Sequence, residues 1–210
     1  RPPALRPAVD SERNVESFSP EKIRFVRFTT EATNNGSEPC IDEIELWTTG
    51  EEPRNAALGA KLTSSGNYAN NPKHKLVHLN DGKYGNDRSW ISNQKGMGWV
   101  RLELTEPAVI DRIEWGRDRT GRYKDRLPTK YRIEGGLEPD KWFQLTNSND
   151  RLPFNTEKTK PTPRYDFSLH PPKDAERGRK KLAQLKKIEE RIAILSKSSK
   201  VYAGTFKQPA

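Results

Sequence analysis

Several things are scarce in this sequence of 210 residues, and each scarcity excludes something. There is one cysteine, Cys40, so no internal disulfide and no Cys-based zinc cluster can form, and the count alone carries no evidence on compartment. As a lone small apolar side chain, Cys40 is expected to be buried rather than catalytic. Three histidines, His74, His78 and His170, are scattered without metal-ligand spacing. No Gly-x-Ser-x-Gly elbow, phosphate-cradling glycine loop or Cys-x-x-Cys-His haem motif occurs. Apolar residues make up only 31%, and no run approaches the roughly 20 residues of a membrane-spanning helix. The first ten residues carry three prolines and no apolar signal-peptide core. Starting at Arg1, the chain reads as a piece of a larger protein, and the expectation is that it is not an enzyme.

Aromatic residues are plentiful, and they lie almost entirely between Phe18 and Phe167, which places a single well-filled core there. The net charge of +9 is unevenly spread: ten Lys/Arg and four Asp/Glu fall between Lys173 and Lys200, so the rest of the chain is nearly neutral. Nucleic-acid binding would therefore rest on the tail alone.

Along the chain, residues 1–18 are proline-punctuated and read as a linker or surface strap. Residues 22–30, KIRFVRFTT, and 40–47, CIDEIELW, alternate apolar and polar positions and are expected to form an antiparallel pair. Strand-like runs recur in AALGAKLTSS, SWIS, GWVRLEL, VIDRIEWGR, TKYRIEGG and WFQL, separated by Gly-, Asn-, Asp- and Pro-bearing turns such as NDGKYGN and NQKGMG. This pattern predicts an all-β sandwich or jelly roll over 19–150. A polar linker over 151–172 follows. Then Leu182, Leu185, Ile188, Ile192 and Leu195 mark one face of a basic amphipathic helix over 173–197, a surface helix or a short dimerising seam, and 198–210 reads as a further linker.

The strings NAALGAKLTSSGNY, HLNDGKYGNDRSWIS, GWVRLELTEPAVIDRIEWGR and LPTKYRIEGGLEPDKWFQL, in that order, resemble the discoidin domain. That fold is shared by the C-type domains of coagulation factors and by galactose-binding-like carbohydrate-binding modules. The match covers about residues 54–146. RFVRFT and DEIELW resemble the strands that normally close the domain, yet here they precede its opening segment, which reads as a circular permutation. The alternative is that they end a preceding repeat. The domain with a basic helix and the closing VYAGTF also resembles segments of large secreted bacterial proteins that carry cytochrome c modules, although this chain has no haem site of its own.

The resemblance implies a secreted or periplasmic, non-catalytic module that targets an attached protein to polysaccharide, acidic glycans included. A structural or protein-interaction scaffold docking neighbouring domains is the other reading. The resemblance also implies one Ca²⁺, with Glu43, Asp81, Asn86, Asp87 and Ser89 as oxygen ligands; without it, NDGKYGN is merely a turn. Sugars stack on aromatic faces and accept planar or charged hydrogen-bond donors. The expected ligand residues are Tyr68, His74, Asn93, Trp99, Arg117, Arg119, Arg122 and Tyr123, with Asp118 and Asp125 orienting the arginines. Against that stands a second reading of the arginine loop, a self-neutralised cluster that rigidifies it. Trp90 and Trp115 fit core positions better than ligand platforms.

Overall fold

A strand fourteen residues long spans roughly 45 Å, yet Phe28 and Trp115, whose strand partner is Asn14, bring their ring centroids within 5.1 Å. The sheet must therefore double back on itself, and the two longest strands show how. In the computed structural model, which describes residues 6–154 and 172–195, the strands are β1 (Asn14–Thr33), β2 (Cys40–Ile41), β3 (Glu43–Thr48), β4 (Lys61–Ser64), β5 (Trp90–Ile91), β6 (Gly98–Gly116), β7 (Pro128–Glu138) and β8 (Lys141–Asn147). The one described α-helix, α1 (Pro172–Leu195), belongs to a second unit, separate from the β unit of 5–162.

β1 and β6 pair antiparallel along almost their whole length, with two irregularities. Phe18, Ser19 and Pro20 stand opposite Asp111 alone, and four residues of β6, Leu104–Pro107, stand opposite Arg24 alone. A proline lies in each irregular stretch, where its missing N–H costs no ladder bond. Bent there, each strand serves both layers: one runs β3-β6-β1, the other β4-β6-β1-β7-β8, all antiparallel. The described residues are thus all-β apart from α1 and two short 3-10 turns, with a sandwich-like core between the layers.

That core is aromatic at its centre. Phe28 stacks on Tyr131 and meets Trp115 edge-on, with Ile23, Ile113, Leu46 and Leu102 fully buried around them. Trp90 and Trp115 are buried, as their strand positions require. Cys40 is buried too, and burial pushes its thiol up to about 11, so it is un-ionised and inert at neutral pH.

The two runs expected to pair with each other do not. β6 lies between β1 and β3, because the chain crosses from one layer to the other over residues 34–42, so no hairpin joins them. Both strands nonetheless belong to this unit's sheet rather than to a preceding repeat: β1 is its central strand and β3 lies along β6.

β1 also begins at Asn14, inside the span read as strap, and the strap itself is well fastened. Arg6 N–H donates to Asp150 O at 2.7 Å, and Leu152 N–H returns to Arg6 O at 2.8 Å, so the two ends of the β unit lie side by side. Farther along, Ser11 O accepts from both Arg117 N–H (2.8 Å) and Asp118 N–H (3.0 Å). This contact depends on Gly116, where a Cβ would come within 2.5 Å of Glu12 O. Gly116→Ala is expected to cost about 1–3 kcal/mol by overpacking, and to speed hydrogen exchange at the Arg117 and Asp118 amides ahead of the core.

Pro172 opens α1 at a position where its missing N–H is harmless, and Asp174 lies in the first turn. Leu182 is half-buried, whereas Leu185 and Ile188 are exposed. No described helix is long and apolar enough to cross a membrane. Residues 1–5 of the strap, 155–171 of the polar linker and 196–210 lie outside the described residues.

Candidate functional site

Because β1 and β6 run out and back, the loops gather at two ends. At one end, the bends of β1 and β6 meet the 49–54 loop, where Thr49 N–H donates to Val109 O. At the other, segments 34–39, 65–76, 84–97 and 117–127 close into a ring, each fastened to the next. His74 Nδ1 lies 2.8 Å from Ser89 Oγ, Arg117 Nη1 donates to Asn86 Oδ1, Asn34 accepts from Leu127 N–H, and Gly96 N–H donates to Ser37 O. Asn93 completes the circle by lying over Gly66, where a Cβ would come within 2.0 Å of its Oδ1.

The 117–127 loop is organised around Asp118, which is fully buried. Its Oδ1 accepts from the Thr120 N–H and hydroxyl, and its Oδ2 from the Tyr123 N–H. Burial opposes ionisation here, but these hydrogen bonds and Arg117 outweigh it and hold the carboxyl below its ordinary value. Arg117 is only 2% exposed, and its guanidinium is spent inward on Asp125 O, Asp125 Oδ1 and Asn86 Oδ1, each at 2.8 Å. Arg119 donates to Glu45 Oε2 at 3.0 Å and lies over the Tyr84 ring at 4.6 Å. The expectation that both arginines face a ligand is therefore corrected: Arg117 and Arg119 hold the loop in place. This matches the self-neutralised reading, with Arg126 bridging Asp125 and Glu38. Arg122 and Tyr123 do face solvent, with the Arg122 guanidinium 5.4 Å from the tyrosine ring centroid.

Beneath the ring, consecutive acids of β3 and the turn before it hold the NDGKYGN segment. Asp42 Oδ2 accepts from Gly85 N–H (3.0 Å) and Arg119 N–H (2.7 Å), Glu43 Oε1 from Gly82 N–H (3.0 Å), and Glu45 Oε1 from the Tyr84 hydroxyl (2.7 Å). Asp42 Oδ1 and Glu43 Oε2 are buried without a hydrogen-bond partner. Burial raises both carboxyls, Glu43 to about 8.

Of the five residues expected to hold calcium, Glu43 keeps one oxygen without a partner and the other four are committed elsewhere. Asp81 pairs with Arg88, Asn86 accepts from Arg117, Asp87 pairs with Lys73, and Ser89 bonds His74 and Asn86 O. Three of the five thus serve cationic side chains, a poor fit to a calcium cage. Among the described residues, no three His, Cys, Asp or Glu come together in a way that could hold a metal ion.

The ring carries an open pocket of ≈ 460 Å³ between Asn67 and Leu76, where Tyr68, Pro72 and Leu76 supply apolar surface and Asn67, Asn70, Asn71, His74 and Lys75 polar groups. Tyr68 is 43% exposed and meets the His74 ring edge-on at 6.4 Å. Burial, then Arg117, lowers the His74 pKa, so its imidazole is neutral at pH 7. Asn70 takes a left-handed conformation, φ +60°, which asparagine tolerates better than most residues.

Of the residues expected to meet a ligand, Tyr68 and His74 line this pocket, while Asn93, Arg122 and Tyr123 are exposed elsewhere on the ring. Trp99 is half-buried in β6, and its backbone N–H donates to Ser65 Oγ. Sequence reading missed Asn67, Asn71 and Lys75, although the run GNYANNPKHK placed all three beside Tyr68. No family model matches the chain, nor does any curated protein or solved structure.

Proposed function

We propose that the β unit is a discoidin-like jelly-roll module that binds glycans without acting on them and targets an attached secreted or periplasmic protein to polysaccharide. The observation that carries this reading is the 67–76 pocket. An exposed tyrosine face, a neutral imidazole and several asparagine amides converge on an open concavity, which is the chemistry that stacks on a sugar ring and reads its hydroxyls. The ring of mutually fastened loops supports it as well, since a pre-formed site loses less entropy on binding. The arrangement of the sheet, two layers sharing bent strands with β1 at the centre, agrees with a permuted discoidin fold in which early strands fill the closing positions.

Titration of the chain against immobilised neutral and acidic polysaccharides tests this. Tyr68→Ala is expected to weaken binding at least about tenfold while leaving thermal unfolding within a degree or two, because an exposed ring contributes to contact rather than to the core. Equal binding by the variant would remove the pocket from the reading. A scaffold role is favoured by one feature, the exposed Leu185 and Ile188 on α1, and concentration-dependent self-association lost in Leu185→Lys would support it.

A further inference from the structure

The two ends of the β unit differ in charge in a way that composition conceals. Segments 34–39, 65–76, 84–97 and 117–127, at the ring end, carry nine Lys/Arg against four Asp/Glu. Segments 17–24, 49–54, 104–111 and 137–141, at the bend end, carry four Lys/Arg against seven Asp/Glu. A module that is nearly neutral as a whole is thus polarised along its length.

Pairing sharpens the contrast. At the ring end, every exposed or half-buried acid is matched inside the protein: Asp87 by Lys73, Asp125 by Arg117 and Glu38 by Arg126. Lys75, Lys95, Arg122 and Lys124 are exposed there and have no ion-pair partner among the described residues. These four lie around the ring rather than in one spot. Lys75 borders the pocket, Arg122 follows the Arg117 and Asn86 contact, Lys124 adjoins the Asn34 contact, and Lys95 precedes the Gly96 and Ser37 contact. Like charges on one face repel one another, whereas a ligand with spaced negative charges would satisfy all of them.

We infer that the ring end docks a polyanionic glycan, one with carboxylates repeated along the chain, across Lys75, Arg122, Lys124 and Lys95 with the 67–76 pocket holding one sugar. This rests on the glycan-binding reading and assigns its ligand class. Because Arg117 is spent internally and the Arg119 guanidinium is turned inward onto Glu45 and the Tyr84 ring, anion recognition falls to these outer cations, three of which sequence reading passed over. A nucleic acid has the same charge but is bound by a row of aromatic platforms for successive bases, whereas Tyr68 is the one exposed aromatic among the residues that line this pocket.

The test compares polygalacturonate, its fully methyl-esterified form and an oligothymidylate, each against the full chain and against a Lys95→Gln/Arg122→Gln/Lys124→Gln variant. Polygalacturonate is expected to bind, to weaken about tenfold between about 50 and about 200 mM sodium chloride, and to lose at least about fivefold in the variant with unchanged thermal unfolding. The ester, which keeps the sugars and removes the charges, is expected to bind far more weakly. Equal binding of ester and acid would overturn the charge assignment and leave glycan binding standing. No binding to either would overturn both. Tighter binding of the oligothymidylate would overturn the ligand class. Affinity indifferent to the three substitutions would also overturn it, because the lysines of α1 remain in the variant and would then be the binding surface.

Discussion

Glu16→Ala is expected to destabilise the β unit by at least about 4 kcal/mol, a large part of the ~5–15 kcal/mol that separates folded from unfolded states in most domains. Glu16 is completely buried between the layers. Its Oε1 accepts from the Tyr131 hydroxyl, from Trp115 Nε1 at 3.2 Å and from Arg151 Nη2 at 2.6 Å; its Oε2 accepts from Arg6 Nη1 and from Thr146 Oγ1 at 3.2 Å. Arg151, 7% exposed in its side chain, also donates to the Tyr131 hydroxyl at 2.6 Å and to Pro7 O at 3.0 Å. Burial, with Glu16 next, pushes the Tyr131 phenol far above its ordinary value, so it remains a donor throughout the working pH range. Removing the carboxylate leaves a buried guanidinium uncompensated and two aromatic donors without an acceptor. Urea unfolding of Glu16→Ala, Arg151→Ala and the double variant checks this. The double variant should cost much less than the sum of the singles. A single-variant loss below about 1 kcal/mol would show that the network is not what joins the layers.

The second large effect depends on pH. Glu43 is fully buried, and burial, resisted only by the Gly82 N–H and the more distant Arg119, raises its carboxyl to about 8 from an ordinary 4.5. The folded protein holds this proton more tightly than the unfolded chain. Its contribution is therefore fully present below about pH 4.5, falls away as the pH rises between about 4.5 and about 8, and is gone above. Glu43→Gln keeps an acceptor for Gly82 and cannot ionise. It is expected to match the parent near pH 4.5 and to exceed it by about 3–5 kcal/mol at pH 9, read from denaturant midpoints at the two pH values. Equal pH dependence in parent and variant would place the alkaline loss elsewhere, Asp42 being the nearest alternative. Repeating the parent series with calcium adds a discriminating arm, because a cation on Glu43 would hold it ionised and remove the alkaline loss.

How much of this was legible in the sequence depended on whether a side chain obeyed the apolar-inward rule. Ile23, Phe28, Leu46, Leu102 and Ile133 obey it, and the strands that carry them were found from alternation alone. The start of β1 breaks it: Asn14 and Glu16 point inward and Val15 points out, so a strand that carries the central polar network reads as a polar strap. The paired partner of β1 was missed for another reason. Alternation specifies which face is buried but carries no information about which strand lies alongside, and crossing between layers looks like a hairpin loop when only its length is seen. At the ring, the Tyr68 loop was legible because an aromatic among Asn, Gly and Pro signals an exposed turn. Arg117 and Arg119 were not, since an arginine drawn inward by Asp125 or Glu45 has the same sequence neighbours as one that greets a ligand.

The clasp between Arg6 and residues 150–152 also decides how the unit would answer a pull. The two segments run parallel, so tension applied between the two ends slides them in opposite directions and loads both backbone bonds at once, the geometry of shear. Both bonds, with the Arg6 pairs to Asp150 and Glu16, must give way together before load travels along the strap to Ser11, the point at which Arg117 and Asp118 are fastened. The clasp thus acts as a latch across the ends of the β unit: until it slips as a whole, neither the 117–127 loop nor the core carries the load.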